Sequence, residues 1–145
     1  MSLKDVFKNP TRTIPRPTPE SAHFWEGTRN GLLLIQRCSS CAKAYFPPRP
    51  FCPACGSRDV AVVQASGRGT LYSYVISHRP APGHTPPFSI AVVTLEEGPR
   101  MMTNIVGCPQ TPDALELDMP LEVVFQTVDD SITLPLFQPA KDNRL

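Results

Sequence analysis

From residue 67 onward the apolar positions fall into short runs separated by turn residues: 69–78, 88–96, 100–106, 121–128 and 131–137. Runs of this length, rich in Val, Ile, Leu, Phe and Tyr and bounded by Gly, Pro and Asp, predict five β-strands. Between most of them there is no helical periodicity; only residues 113–119 have room for one helical turn. The fold class expected is therefore mainly β, with a C-terminal five-stranded barrel of the OB type. One strand is ambiguous. Leu71, Ser73, Val75 and Ser77 alternate with Tyr72, Tyr74, Ile76 and His78, and because both sets contain bulky residues, alternation leaves the inward face open.

The pattern before residue 67 differs. Residues 1–17 are proline-rich and polar, as an extended arm would be. A short helix is expected next, with Thr18 as N-cap, Pro19 in the first turn and Gly31 as the stop. Phe24 and Trp25 are adjacent, so both cannot enter one small core; one of them is expected on the ribbon or on a partner, with simple packing against the rest of the chain as the more frequent arrangement. Residues 32–37 then read as a strand, and residues 45–48 as an extended return. The chain divides on this reading into an arm and helix (1–31), a ribbon (32–65), a barrel (66–138) and a tail (139–145). With 18 prolines in 145 residues, helix content is expected to be low.

Within the ribbon stand two C-x-x-C pairs, Cys38 with Cys41 and Cys52 with Cys55, ten residues apart. Two such turns bring four thiolates to one tetrahedral ion, and the spacing is that of a zinc site. Cys52-Pro53-Ala54-Cys55-Gly56 has a proline to stiffen the turn and a glycine to permit its left-handed step. The first pair has Ala42 where glycine would be easier, which predicts a strained or differently shaped turn. Two disulfides, or reduced thiols that merely pack, are the competing arrangements. Residues 1–9 carry Lys4, Asp5 and Lys8 among scattered apolar positions, with no signal-peptide core. A cytoplasmic, soluble protein with reduced thiols is expected, and disulfides are disfavoured. Four protein ligands leave no open position for water, so the metal should hold the fold and not hydrolyse anything. Iron in a rubredoxin-type site shares this four-sulfur geometry, and elemental analysis separates the two.

These motifs occur in a recognisable order: Phe24-Trp25-Glu26-Gly27, Leu33-Leu34-Ile35-Gln36-Arg37-Cys38, Tyr45-Phe46-Pro47-Pro48-Arg49, Cys52-Pro53-Ala54-Cys55-Gly56-Ser57, Gly67-Arg68-Gly69-Thr70-Leu71-Tyr72, Asn104-Ile105-Val106-Gly107-Cys108 and Pro135-Leu136-Phe137. Over nearly the whole chain this resembles the Zn-ribbon domain-containing OB-fold proteins associated with acyl-CoA metabolism. The resemblance implies a helical segment, a rubredoxin-like ribbon and an OB barrel. It also implies a non-catalytic subunit that positions or channels acyl-CoA thioesters for a thiolase-like enzyme or an enoyl-CoA hydratase, in lipid or steroid side-chain metabolism. Cys38, Cys41, Cys52 and Cys55 are the zinc ligands it implies.

Charge separates this function from single-stranded nucleic-acid binding, the alternative that an OB fold raises. The whole chain is +1. Residues 37–58 hold Arg37, Lys43, Arg49 and Arg58 and no carboxylate, whereas residues 66–137 hold three bases against eight acids. An acidic barrel repels a phosphate polymer even where Tyr72, Tyr74 and Phe88 could stack on bases. A CoA thioester concentrates its phosphates at one end. Arg37, Lys43, Arg49 and Arg68 are the candidate phosphate contacts, with barrel aromatics lining the acyl path; taken singly, each is also an ordinary solvated cation. Catalytic groups do not assemble. His23, His78 and His84 stand in no nucleophile or metal motif, and Cys108, after an apolar run and before Pro109, reads as a half-buried small hydrophobe. The expectation is an accessory subunit in a hetero-oligomer, without independent turnover.

Overall fold

The computed structural model describes residues 13–141. Of the expected arm and tail, residues 1–12 and 142–145 lie outside the described residues. One helix, α1 (Ala22–Arg29), precedes eight strands: β1 (Leu34–Cys38), β2 (Ala44–Tyr45), β3 (Val60–Gln64), β4 (Arg68–Ser77), β5 (Phe88–Leu95), β6 (Arg100–Thr103), β7 (Pro120–Thr127) and β8 (Thr133–Pro139).

The helix starts later than the sequence suggests. Thr18 and Ser21 close a turn of their own, in which the Thr18 amide donates to the Ser21 hydroxyl at 2.9 Å and the Ser21 amide to the Thr18 carbonyl at 3.1 Å. That turn moves the N-cap from Thr18 to Ser21. The stop is at Gly31 as expected: its φ of 74° lets the Leu32 amide reach the Gly27 carbonyl and the Gly31 amide the Thr28 carbonyl. Phe24 is buried and Trp25 half-buried, their rings edge to face at 4.9 Å.

Strands β2, β1 and β3 form an antiparallel ribbon, with β1 central. Residues 60–64 carry no alternation of their own, and β3 exists because its backbone pairs along the whole of β1. The second sheet runs β6-β5-β4-β7-β8 and curls on itself. After β6 the chain crosses to β8, where the Val106 amide donates to the Phe137 carbonyl at 2.8 Å and the Phe137 amide to the Asn104 carbonyl at 3.2 Å. These bonds close a partly open OB barrel. They also explain why the run 100–106 yields a strand of only four residues.

On β4 a bulge between Leu71 and Ser73 settles the ambiguous alternation. Leu71 is buried, but beyond the bulge Tyr74 and Ile76 are the residues packed against the core. Inward positions therefore pass from one set to the other within a single strand. Strand β8 begins two residues later than expected, because Asp129 Oδ1 accepts the amides of Ser131 and Ile132 at 2.8 and 2.7 Å and holds them in a turn. Those amides also keep the Asp129 carboxyl below its ordinary value. Residues 113–119 form turns without a helix and bury Leu115.

One core unites these parts. Phe24 from the helix and Leu33, Ile35 and Ala65 from the ribbon region pack with Leu71, Val93, Leu121 and Phe137 of the barrel. Ribbon and barrel are thereby held in a defined relation, and that relation creates the surfaces described next.

Candidate metal centre and ligand cleft

The two cysteine turns are built alike. In the first, the Cys38 amide donates to the Lys43 carbonyl at 2.9 Å and the Ala42 amide to the Cys38 carbonyl at 2.9 Å. In the second, Cys52 bonds Ser57 and Gly56 bonds Cys52 in the same way, at 2.8 and 2.9 Å. Ala42 and Gly56 are both left-handed, with φ of 65° and 80°. The first turn is thus strained and not differently shaped. A left-handed alanine costs roughly 1–2 kcal/mol, while glycine gives up some of that in backbone entropy. Ala42→Gly is therefore expected to stabilise the metal-loaded protein by about 0.5–1 kcal/mol. Equilibrium unfolding measures this, and an unchanged or lower stability would contradict the strain.

The four sulfurs lie within 4.8 Å of one another, with Cys38–Cys55 at 3.6 Å and Cys41–Cys52 at 3.7 Å. Sulfurs about 2.3 Å from one tetrahedral ion stand about 3.8 Å apart, so the set fits zinc. Disulfides would need about 2 Å and do not fit, and all the cysteines are free. The amides of Cys41 and Ala54 approach Cys38 Sγ and Cys52 Sγ at 3.4 and 3.3 Å. The Cys41 amide is the main cause that lowers Cys38 to about 6, and the Cys55 amide is the main one lowering Cys52. Cys55 is favoured as thiolate by the Ser57 amide, yet crowding by the Cys38, Cys41 and Cys52 sulfurs and burial push it up to about 11. Crowded thiolates of this kind call for a dication. Cys38 and Cys52 are buried with Tyr45 in a small second core against which Val60 packs, so the zinc is structural.

Beside this centre, where ribbon meets barrel, a cleft of about 660 Å³ is lined by Arg37 and Lys43 from the ribbon and by Arg100 at the start of β6. Arg37, Lys43 and Arg100 have no ion-pair partner among the described residues. Arg100 lies 3.7 Å over the Tyr72 ring. Glu97 lies on the barrel side, one carboxylate oxygen accepting the Ser66 amide at 2.8 Å and the other buried without a partner. The other two candidate cations are elsewhere. Arg68 pairs with Glu96 at 2.9 Å, and Arg49 lines a separate hollow with Glu20 and His23. Arg100 was not singled out from the sequence, because it belongs to the acidic barrel and only the docking of the ribbon brings it beside Arg37.

The barrel aromatics are dispersed. Tyr72 lies under Arg100, Tyr74 packs on the core, and Phe88 stacks on His84 at 4.7 Å beside a different pocket. Burial lifts the Cys108 thiol above its ordinary value. Among the described residues no helix is long and apolar enough to cross a membrane.

Comparison with known proteins agrees with this architecture. Residues 25–61 match the rubredoxin-like zinc ribbon domain of ChsH2, and residues 62–126 its C-terminal OB-fold domain. A probable enoyl-CoA hydratase alpha subunit of Thermomonospora curvata is 40% identical over 136 residues, 92% of this chain and 42% of the relative. The chain thus spans about two fifths of that protein's length. A DUF35 domain-containing scaffold protein of Methanocaldococcus jannaschii is 35% identical over 73% of this chain and 77% of its own. Among solved structures, a chain of the Ltp2-ChsH2(DUF35) aldolase superposes with a TM-score of 0.79 at 40% identity, covering 88% of this chain and 99% of that one. With its four-sulfur ribbon and OB barrel, the chain belongs to the DUF35 family of ChsH2-type zinc-ribbon and OB-fold proteins.

Proposed function

We propose that this chain is a non-catalytic accessory subunit that binds acyl-CoA and presents it to an enoyl-CoA hydratase or thiolase-like partner. The observation that carries this reading is the cleft in which Arg37, Lys43 and Arg100 gather without carboxylate partners. Unpaired cations around a concavity suit a compact polyphosphate, whereas a nucleic-acid polymer needs a continuous basic track. The acidic remainder of the barrel, with its dispersed aromatics, offers no such track. A shared hydrophobic core and a closed metal site make the domain a rigid support, and chemistry is assigned to the partner.

Titration calorimetry of the zinc-loaded chain with coenzyme A, repeated at several salt concentrations, tests the site. Affinity should fall with added salt. The double reversal Arg37→Glu with Lys43→Glu should weaken binding by about tenfold or more, which is about 1.4 kcal/mol, and flatten the salt dependence. Equal affinity and slope in the variant, or preferential retention of single-stranded oligonucleotide by the parent, would overturn the reading. Co-purification with a hydratase or thiolase-like subunit tests the partner.

A further inference from the structure

We infer that an apolar groove next to the cation cleft receives the acyl chain of the thioester; the inference rests on the acyl-CoA reading above. The groove holds about 350 Å³, at the small end of ligand pockets. Three parts of the fold make its walls: Trp25 of α1, Pro47 of the ribbon return, and Met102, Leu134 and Leu136 of β6 and β8. No charged side chain lines it.

Its position gives it an occupant. Phe46 lines both the cleft and the groove. Strand β6 does the same, presenting Arg100 to the cleft and Met102 to the groove. A ligand anchored by its phosphates at Arg37, Lys43 and Arg100 therefore meets an apolar surface on the far side of one aromatic ring. The barrel interior offers no alternative path. Leu71, Val93 and Phe137 are each 0% exposed there, so the space is filled by side chains. A CoA ester, charged at one end and aliphatic at the other, matches this polar-to-apolar order. Met102, 69% exposed at the groove, is a flexible side chain able to fold over chains of different length.

The molecule carries its own reporter, because Trp25 is the single tryptophan and stands in the groove wall. Titrating the zinc-loaded full chain with octanoyl-CoA should shift Trp25 emission to shorter wavelength, while coenzyme A should leave the emission in place. Octanoyl-CoA should also bind about tenfold tighter than coenzyme A, an effect that burial of about two methylenes would produce. Leu134→Phe, which fills the groove, and Met102→Glu, which puts a carboxylate at a well-exposed position beside it, should each collapse that ratio toward unity. The Arg37→Glu and Lys43→Glu pair should weaken both ligands alike and keep the ratio. Equal binding of the two ligands with silent Trp25 overturns the groove assignment and leaves the phosphate site standing. A ratio retained in both groove variants does the same. Failure of both ligands to bind the parent removes the underlying reading instead. A Trp25 shift produced by a hydratase or thiolase-like subunit without thioester, and insensitive to octanoyl-CoA, would make the groove a protein contact and overturn the inference.

Discussion

Cys52→Ser, or removal of the metal by a chelator, is expected to unfold the cysteine turns and lower the denaturation midpoint sharply. Residues 39–58 contain only the two-residue β2 as regular structure, and the small core they share consists of buried Cys38, Tyr45 and Cys52 with half-buried Val60 packed against them. Without a cation, the four sulfurs held within 4.8 Å repel as thiolates or crowd as thiols. Structural zinc is worth roughly 10 kcal/mol or more to peptides that have little else to fold them. Here the ribbon keeps part of its packing on the barrel through Leu33, Ile35 and Val63, so the whole of that amount is not lost. Hydrogen exchange should become fast across residues 38–57 in the metal-free protein and stay slow in β5. Elemental analysis should return one zinc per chain. A metal-free protein with the same midpoint and the same protection would remove the metal from the structural account.

Phe137→Ala is expected to destabilise the protein by about 3–5 kcal/mol, the cost of deleting a buried aromatic ring from a core that relaxes only in part. Its side chain is 0% exposed, and it is the largest of the fully buried side chains. Its backbone matters equally, since the Phe137 amide and carbonyl make the two bonds that tie β8 to residues 104–106 and close the barrel. The loss is comparable to the whole stability of a marginal domain, about 5–15 kcal/mol. Phe137→Leu keeps most of the volume and should cost under about 1.5 kcal/mol. Urea unfolding of the metal-loaded variants decides it; a loss below about 1 kcal/mol for the alanine variant would mean that the barrel closes without this ring.

The sequence revealed those elements whose cause is local. The helix stop at Gly31 follows from a left-handed residue after the last turn, and the second cysteine turn from Gly56. Five barrel strands were visible as bounded apolar runs, to within one residue except for β6 and β8. The misplaced end of β6 has a non-local cause, the crossing of residues 104–106 to Phe137; that of β8 is local, because the Asp129 carboxylate takes up the amides of Ser131 and Ile132 in a turn that an apolar run does not reveal. Strand β3 was missed because Val60, Ala61, Val62 and Val63 lack alternation, and its partner β1 lies more than twenty residues away. The inward face of β4 was unreadable because the bulge after Leu71 exchanges the two faces midway.

What the sequence determined alone is the metal centre, the helix and the five barrel strands, since these depend on short motifs and bounded runs and on the conformations their residues favour. The tertiary structure decided which cations share a cleft and which aromatic rings face a groove. Arg37 and Arg100 are distant in sequence and become neighbours only because Leu33 and Ile35 bury their side chains against the barrel core. Burial of apolar surface has no sequence range, and it was this packing, not any motif, that brought Phe46 between a cationic cleft and an apolar groove.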